Sequence, residues 1–267
     1  MDYKELLNIA LKASVDAGNK IMEIYTDPAQ DFGIERKADN SPLTLADKAA
    51  HRCIMQYLEP TGIPVLSEEG AHQPFEERTA WERFWLVDPL DGTKEFIKKN
   101  GEFTVNIALM EKGAPVLGVV YVPAKQVTYY GSVGNGAFRV QDGVTESLPL
   151  TSARHEDYVI VASRSHLSSA TQAYIDEAAK KYDKVTTVSS GSSLKLCLVA
   201  EGTADAYPRF APTMEWDTAA GDAVVRAAGK MCYQAGTYDG LPYEDGAPLT
   251  YNKEDLHNPW FLVTDLL

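Results

Sequence analysis

At 267 residues the chain is long enough to bury roughly 70–75% of its unfolded surface, so a core requires neither disulfides nor a structural metal. Lys and Arg total 25 against 38 Asp and Glu, a net charge of −13 that argues against a nucleic-acid polymer or an anionic membrane surface as the principal partner. Small phosphorylated ligands remain compatible with such a chain, provided that cations and a few basic side chains neutralise them locally.

Leu6, Ala10, Ala13, Ala17, Ile21 and Ile24 recur at helical spacing and predict a long first helix that stops before Pro28. Met1-Asp2-Tyr3-Lys4-Glu5 lacks the basic-then-apolar order of a secretory signal, and no apolar run approaches the ~18 residues of a membrane span. A soluble, cytoplasmic protein without an integral membrane segment is expected. Thr44 with Asp47 has the form of a capping box, opening a second helix whose buried face is Ala50, Ile54 and Leu58. Val65–Ser67 and Phe84–Val87 read as short buried strands. From Phe103 to Val140, strand-like runs punctuated by Gly113, Pro123 and Gly134-Asn135-Gly136 predict an antiparallel meander.

Beyond Thr151 the pattern alternates. Tyr158–Ala162, Val185–Val188 and Ala204–Tyr207 are strand-like; Ser168–Lys181, Ser192–Glu201 and Thr218–Ala228 are helical. The change near residue 150 divides an N-terminal α+β half, 1–150, from a C-terminal α/β half, 151–267, with a ligand cleft expected between them. Cys53, Cys197 and Cys232 are scattered in apolar patterns and read as buried free thiols of a reducing compartment.

Three acidic motifs carry the chemistry. In Trp85-Leu86-Val87-Asp88-Pro89-Leu90-Asp91-Gly92-Thr93, Pro89 biases Asp88 toward an extended backbone and Gly92 permits a sharp turn, so Asp88 and Asp91 are expected to converge. Two carboxylates about 4 Å apart repel by about 4 kcal/mol at an effective dielectric near 20, a cost that a divalent cation removes, and hard oxygen donors favour Mg²⁺. A lone D-x-x-D-G would be a solvated turn. Here, however, Glu68-Glu69-Gly70 also follows a strand, and Glu215-Trp216-Asp217 opens a helix with Asp217 at its N-cap or first turn. His51, His72, His155 and His257 show no metal-ligand spacing, and there is no nucleophile elbow, paired Cys-x-x-Cys or P-loop.

These ordered motifs resemble the lithium-sensitive, Mg²⁺-dependent phosphomonoesterases of the inositol monophosphatase superfamily. Ser163-Arg164-Ser165-His166, Gly191-Ser192-Ser193-Leu194-Lys195 and Tyr207-Pro208-Arg209-Phe210 bring the chain closest to its bacterial 3′(2′),5′-bisphosphate nucleotidases of sulfur assimilation. The resemblance implies a layered αβαβα sandwich and two or three Mg²⁺ ions. Glu68, Asp88 and the Leu90 carbonyl would hold one ion, and Asp88, Asp91 and Asp217 a second. Thr93 with Asp47 would activate water, with Glu69 as an alternative base. The Gly92 and Thr93 N–H groups would face the reacting phosphate. Ser192, Lys195 and Arg209 would grip the nucleotide 5′-phosphate, and Arg164 and His166 would line the nucleotide pocket. The implied reaction is hydrolysis of adenosine 3′,5′-bisphosphate to AMP and phosphate, extending to the 3′-phosphorylated sulfate donor. The rivals are an inositol- or sugar-phosphate phosphatase and a catalytically silent nucleotide- or Mg²⁺-binding protein. A monomer or homodimer is expected. Some bacterial relatives are described as peripheral at the cytoplasmic face of the inner membrane, although nothing basic or amphipathic in this sequence demands it.

Overall fold

The computed structural model describes the chain except for residues 29–31, 38–40, 72, 154–155, 164–167, 239–240, 244–245 and 266–267. Helix α1 (Tyr3–Tyr25) begins with a reciprocal cap between Asp2 and Glu5 and buries Leu6, Ala10, Ala13, Ala17 and Ile21. Ile24, at the fraying end, is half-buried. A short hairpin of β1 (Glu35–Arg36) and β2 (Pro42–Leu43) leads into α2 (Leu45–Leu58), where Thr44 and Asp47 form the expected capping box.

The principal sheet has seven strands in sequential order: β3 (Val65–Ser67), β4 (Arg83–Asp91), β5 (Thr104–Glu111), β6 (Ala114–Val122), β7 (Val127–Ser132), β8 (Gly136–Gln141) and β9 (Val144–Ser147). Helix α3 (Phe75–Arg78) precedes β4, and α4 (Thr93–Ile97) follows it. β3 runs parallel to β4, and every later pairing is antiparallel, as a meander requires. Side-chain alternation sorts the two faces. Trp85, Val87, Ile107 and Leu109 pack with α1 and α2, whereas Phe84, Leu86, Ala108 and Met110 join the core on the opposite side.

The later part comprises β10 (Tyr158–Ser163), α5 (Ser169–Lys181), β11 (Val185–Ser190), α6 (Leu194–Glu201), β12 (Tyr207–Arg209), α7 (Glu215–Ala227), β13 (Lys230–Gln234), β14 (Gly236–Tyr238), β15 (Leu241–Tyr243) and β16 (Phe261–Asp265). β10 pairs in parallel with β11, β16 lies between β12 and β13, and β14 pairs with β15. A parallel bridge from Ile160 to Ala206 joins the first two groups into a second layer. Helices α6 and α7 fill the space between the two sheets, and α5 covers the far side through Tyr174 and Ala178, which meet Ile160, Ala206 and Leu262. The result is the layered αβαβα sandwich. Gly118 and Gly131 let α7 approach the principal sheet closely: a Cβ at Gly118 would lie 2.4 Å from the Ala220 carbonyl oxygen.

Several boundaries differ from the sequence reading. β4 does not stop at Val87 but continues through the acidic motif to Asp91. α6 starts at Leu194, so Ser192 lies before the helix, at φ 47°, and does not share a helical face with Lys195. β12 begins at Tyr207, with Ala206 supplying only the bridge, and α7 begins at Glu215, ahead of Asp217. Cys53 is half-buried; Cys197 and Cys232 are buried free thiols. Among the described residues, no helix is long and apolar enough to cross a membrane.

Candidate active site

Backbone register assembles the acids. Val65, Leu66 and Ser67 pair in parallel with Trp85, Leu86 and Val87, and the Glu68 N–H continues that ladder onto the Val87 carbonyl, which brings Glu68 beside Asp88. On the other edge of β4, Asp88 faces Asn106 and Asp91 faces Thr104: three steps along β4 match two along β5. In a regular strand, residues three apart point to opposite faces; this bulge around Pro89 turns both carboxylates the same way. Asp88 is further fixed by the Leu90 N–H, 3.0 Å from its Oδ1.

Asp217 reaches the same spot from the first turn of α7, where it accepts the Met214 N–H at 2.8 Å. Carboxylate oxygens of Asp88, Asp91 and Asp217 lie within 4.8 Å of one another. Burial, reinforced by the charges of Glu68, Asp91 and Asp217, pushes the Asp88 carboxyl well above its ordinary pKa. Burial and then Asp91 do the same to Asp217, and burial raises Asp91 to about 6 against the opposing pull of Lys195. A cluster of mutually repelling acids with Asp88 buried and Asp91 and Asp217 half-buried, made only of hard oxygen donors, has the chemistry of a Mg²⁺ site.

Thr93 follows Gly92, whose φ of 89° would strain any other residue and whose Cβ position lies a tight 3.1 Å from the Glu102 carbonyl oxygen. The Thr93 hydroxyl stands 3.2 Å from Asp47 Oδ1 and 3.4 Å from the Leu90 carbonyl. Asp47 also accepts the N–H and hydroxyl of Thr44, at 2.7 and 2.5 Å, while burial pushes its carboxyl upward. One residue therefore serves both as cap and as partner of Thr93. Glu69 is pulled elsewhere: Lys37 Nζ lies 2.5 Å from its Oε1 and 2.6 Å from Glu68 Oε1. Burial disfavours the Lys37 ammonium, but Glu68 and Glu69 outweigh it and raise its pKa above the ordinary value.

A cavity of about 140 Å³ is lined by Asp91 and Asp217 together with Ser192, Lys195 and Arg209. Lys195 is 5% exposed, donates to the Ser192 carbonyl at 2.5 Å and lies over the Tyr207 ring. Burial lowers its pKa to about 8, opposed by Asp91. Arg209 spends Nη2 on the Pro212 carbonyl at 3.0 Å, and its buried Nε has no partner among the described residues. Gly191 is required by space, since a Cβ there would lie 2.9 Å from the Glu102 carbonyl oxygen. Arg164 and His166 lie outside the described residues.

Two participants escaped the sequence reading. Lys37 is 31 residues from Glu68 in the chain, and no local pattern distinguishes it from a surface lysine. Ser193 appears within the Gly-Ser-Ser-Leu-Lys motif, yet its contact is with Asp91, whose Oδ2 accepts its N–H at 2.5 Å.

Residues 2–260 match the inositol monophosphatase family. The chain is 47% identical over 253 residues to the 3′(2′),5′-bisphosphate nucleotidase CysQ of Salmonella typhimurium, covering 93% of this chain and 95% of that protein. Its identity to the protein of the same name from Escherichia coli K12 is 46% over 262 residues, covering 97% and 99%. Among solved structures, CysQ from Bacteroides thetaiotaomicron, described as a bacterial member of the inositol monophosphatase family, matches with a TM-score of 0.87 at 51% identity, covering 98% of each chain. The extragenic suppressor protein suhB from Bartonella henselae matches with a TM-score of 0.74 at 25% identity, covering 98% of this chain and 94% of that one.

Proposed function

The chain belongs to the inositol monophosphatase family, and from that premise we propose that it is a Mg²⁺-dependent 3′(2′),5′-bisphosphate nucleotidase. It hydrolyses the 3′-phosphate of adenosine 3′,5′-bisphosphate to AMP and phosphate in sulfur assimilation, and acts on the 3′-phosphorylated sulfate donor by the same chemistry. The observation that carries this reading is that one cavity is lined both by the acids Asp91 and Asp217 and by the cations Lys195 and Arg209. A substrate with two phosphates has one for each.

Asp88, Asp91 and Asp217 hold Mg²⁺ in this reading, with Glu68 and the Leu90 carbonyl completing a set of two or three ions. When bound, the ions neutralise the transferring phosphoryl group and lower the pKa of the attacking water. Thr93 positions that water: its hydroxyl hydrogen is directed to Asp47, leaving oxygen lone pairs for the water's proton. Asp47 is the final acceptor, and the burial that raises its pKa strengthens it as a base. Glu69 is the weaker candidate because Lys37 engages its carboxylate. The N–H groups of Gly92 and Thr93 bind the reacting phosphate.

Lys195 and Ser192 hold the 5′-phosphate, and Arg209 adds a guanidinium whose buried Nε awaits an acceptor. Arg164 and His166 are assigned to the nucleotide by the family resemblance alone. Inhibition by Li⁺ is expected, because a monovalent ion held by the carboxylate cluster would supply too little charge. A cytoplasmic location accords with the free thiols of Cys53, Cys197 and Cys232.

The decisive assay is phosphate release from adenosine 3′,5′-bisphosphate and from inositol 1-phosphate, with Mg²⁺ and with EDTA. A strong preference for the nucleotide that disappears in EDTA is expected. Equal rates would make the chain a broad phosphomonoesterase, and no release from either substrate would leave a silent binding protein.

A further inference from the structure

One peptide plane links Lys195 to Asp91, both of which line the cavity. The Ser192 carbonyl accepts Lys195 Nζ at 2.5 Å, and the N–H at the other end of that plane, belonging to Ser193, donates to Asp91 Oδ2 at 2.5 Å. Because the peptide unit is rigid, a displacement of its carbonyl end is transmitted to its N–H end. The Ser193 side chain fixes the pivot. Its Oγ lies 2.8 Å from Thr104 Oγ1 and 2.8 Å from Asn106 Oδ1, and the side chain is 2% exposed. Thr104 and Asn106 are the β5 residues directly across the ladder from Asp91 and Asp88. The substrate loop is thus fastened to the same strand that backs both aspartates.

We infer that Ser193 is a positioning residue that couples seating of the non-reacting phosphate to divalent-cation binding, which presupposes that the chain binds a nucleoside 5′-phosphate. A phosphate that engages Lys195 competes with the Ser192 carbonyl for the ammonium. The peptide plane then settles against Asp91, with Thr104 and Asn106 holding its far side. Phosphate and cation therefore bind cooperatively, and linkage makes the effect reciprocal. Cations therefore bind more tightly when a ligand with a 5′-phosphate is in the cavity, which favours hydrolysis of such ligands over those that lack one.

The test uses Mn²⁺ as the cation and AMP as the ligand, since AMP carries the 5′-phosphate and has no phosphate to lose at the 3′-position. Free Mn²⁺ is counted by electron paramagnetic resonance at increasing AMP, with correction for the Mn²⁺–AMP complex, and AMP binding is followed by calorimetry. In the wild type, AMP should tighten Mn²⁺ binding by about fivefold or more. In Ser193→Ala the gain should shrink to less than about twofold while AMP still binds, and Thr104→Val, which leaves the Asn106 contact, should fall between. A variant that is merely loosened weakens both ligands but leaves their coupling ratio intact. Full coupling in both variants would overturn the inference, since the charge of the phosphate alone would then account for it. AMP binding without any change in Mn²⁺ affinity in the wild type would overturn it as well. Failure of the wild type to bind AMP would overturn the nucleotidase reading itself, and the inference with it.

Discussion

Asp91 and Asp217 differ from ordinary surface acids because the fold holds them, half-buried, against the buried carboxylate of Asp88. Asp91→Asn or Asp217→Asn should lower kcat by at least about a hundredfold, the scale for removing a preorganised electrostatic contributor. Steady-state rates with Mg²⁺ check this, and near-normal turnover in either variant would remove the carboxylate from the metal set. The same repulsion has a thermodynamic consequence. An acid whose folded-state pKa is raised keeps protons that the unfolded chain has lost. Its contribution is therefore complete below the unfolded value near ~4 and declines as pH rises through the folded one. For Asp91 the folded value is about 6. The metal-free protein should consequently lose stability between these limits, and Asp217→Asn should flatten the loss. Urea unfolding in EDTA at several pH values measures it. A different comparison tests the phosphate side: Lys195→Ala and Arg209→Ala should each reduce kcat/KM for adenosine 3′,5′-bisphosphate about ten- to a hundredfold, with a much smaller effect on a single-phosphate substrate. The aspartates were legible in the sequence because each adjoins a strand end or helix start. Lys37 was not, since only the tertiary path of the β1–β2 hairpin carries it to Glu68 and Glu69.

At the level of elements, the periodicity of α1 and the Thr44–Asp47 cap were sufficient to define both N-terminal helices, because local spacing and local hydrogen bonds determine them. The course of β4 was not legible. Pro89 and Gly92 look like an ending, but Asp91 rejoins β5 after a bulge, and only the partner strand reveals the continuation. Ser192 was misread for a related reason: its motif sits next to a helix, while it has a positive φ and the neighbouring Gly191 packs tightly against Glu102 on a distant segment. Close helix–sheet contact gives a further prediction. Gly118→Ala would put a methyl group 2.4 Å from the Ala220 carbonyl oxygen, so α7 must shift outward. A loss of about 1–3 kcal/mol in stability is expected from such overpacking. Because Asp217 rides on α7, activity should fall further than stability accounts for; a variant with wild-type stability and rate would mean that the contact relaxes freely.

Across the whole molecule, the acidic cluster takes Asp88 and Asp91 from the principal sheet and Asp217 from the helix packed against it. Mg²⁺ should therefore stabilise the fold as a unit, by about 2.7 kcal/mol at a concentration a hundred times its Kd, and Asp217→Asn should abolish most of that gain. Thermal unfolding with and without Mg²⁺ measures both. The arrangement of the second layer bears on biosynthesis as well. β16 lies between β12 and β13, although it follows them both in the chain. While a ribosome is still making residues 235–260, the strand that carries Arg209 lacks its neighbour, and so does β13. Two unpaired edges wait for one late insertion. A nascent chain stalled before Phe261 should therefore be protease-sensitive around Arg209 and prone to aggregate, and the cavity wall that Arg209 supplies should form only after that final strand has emerged.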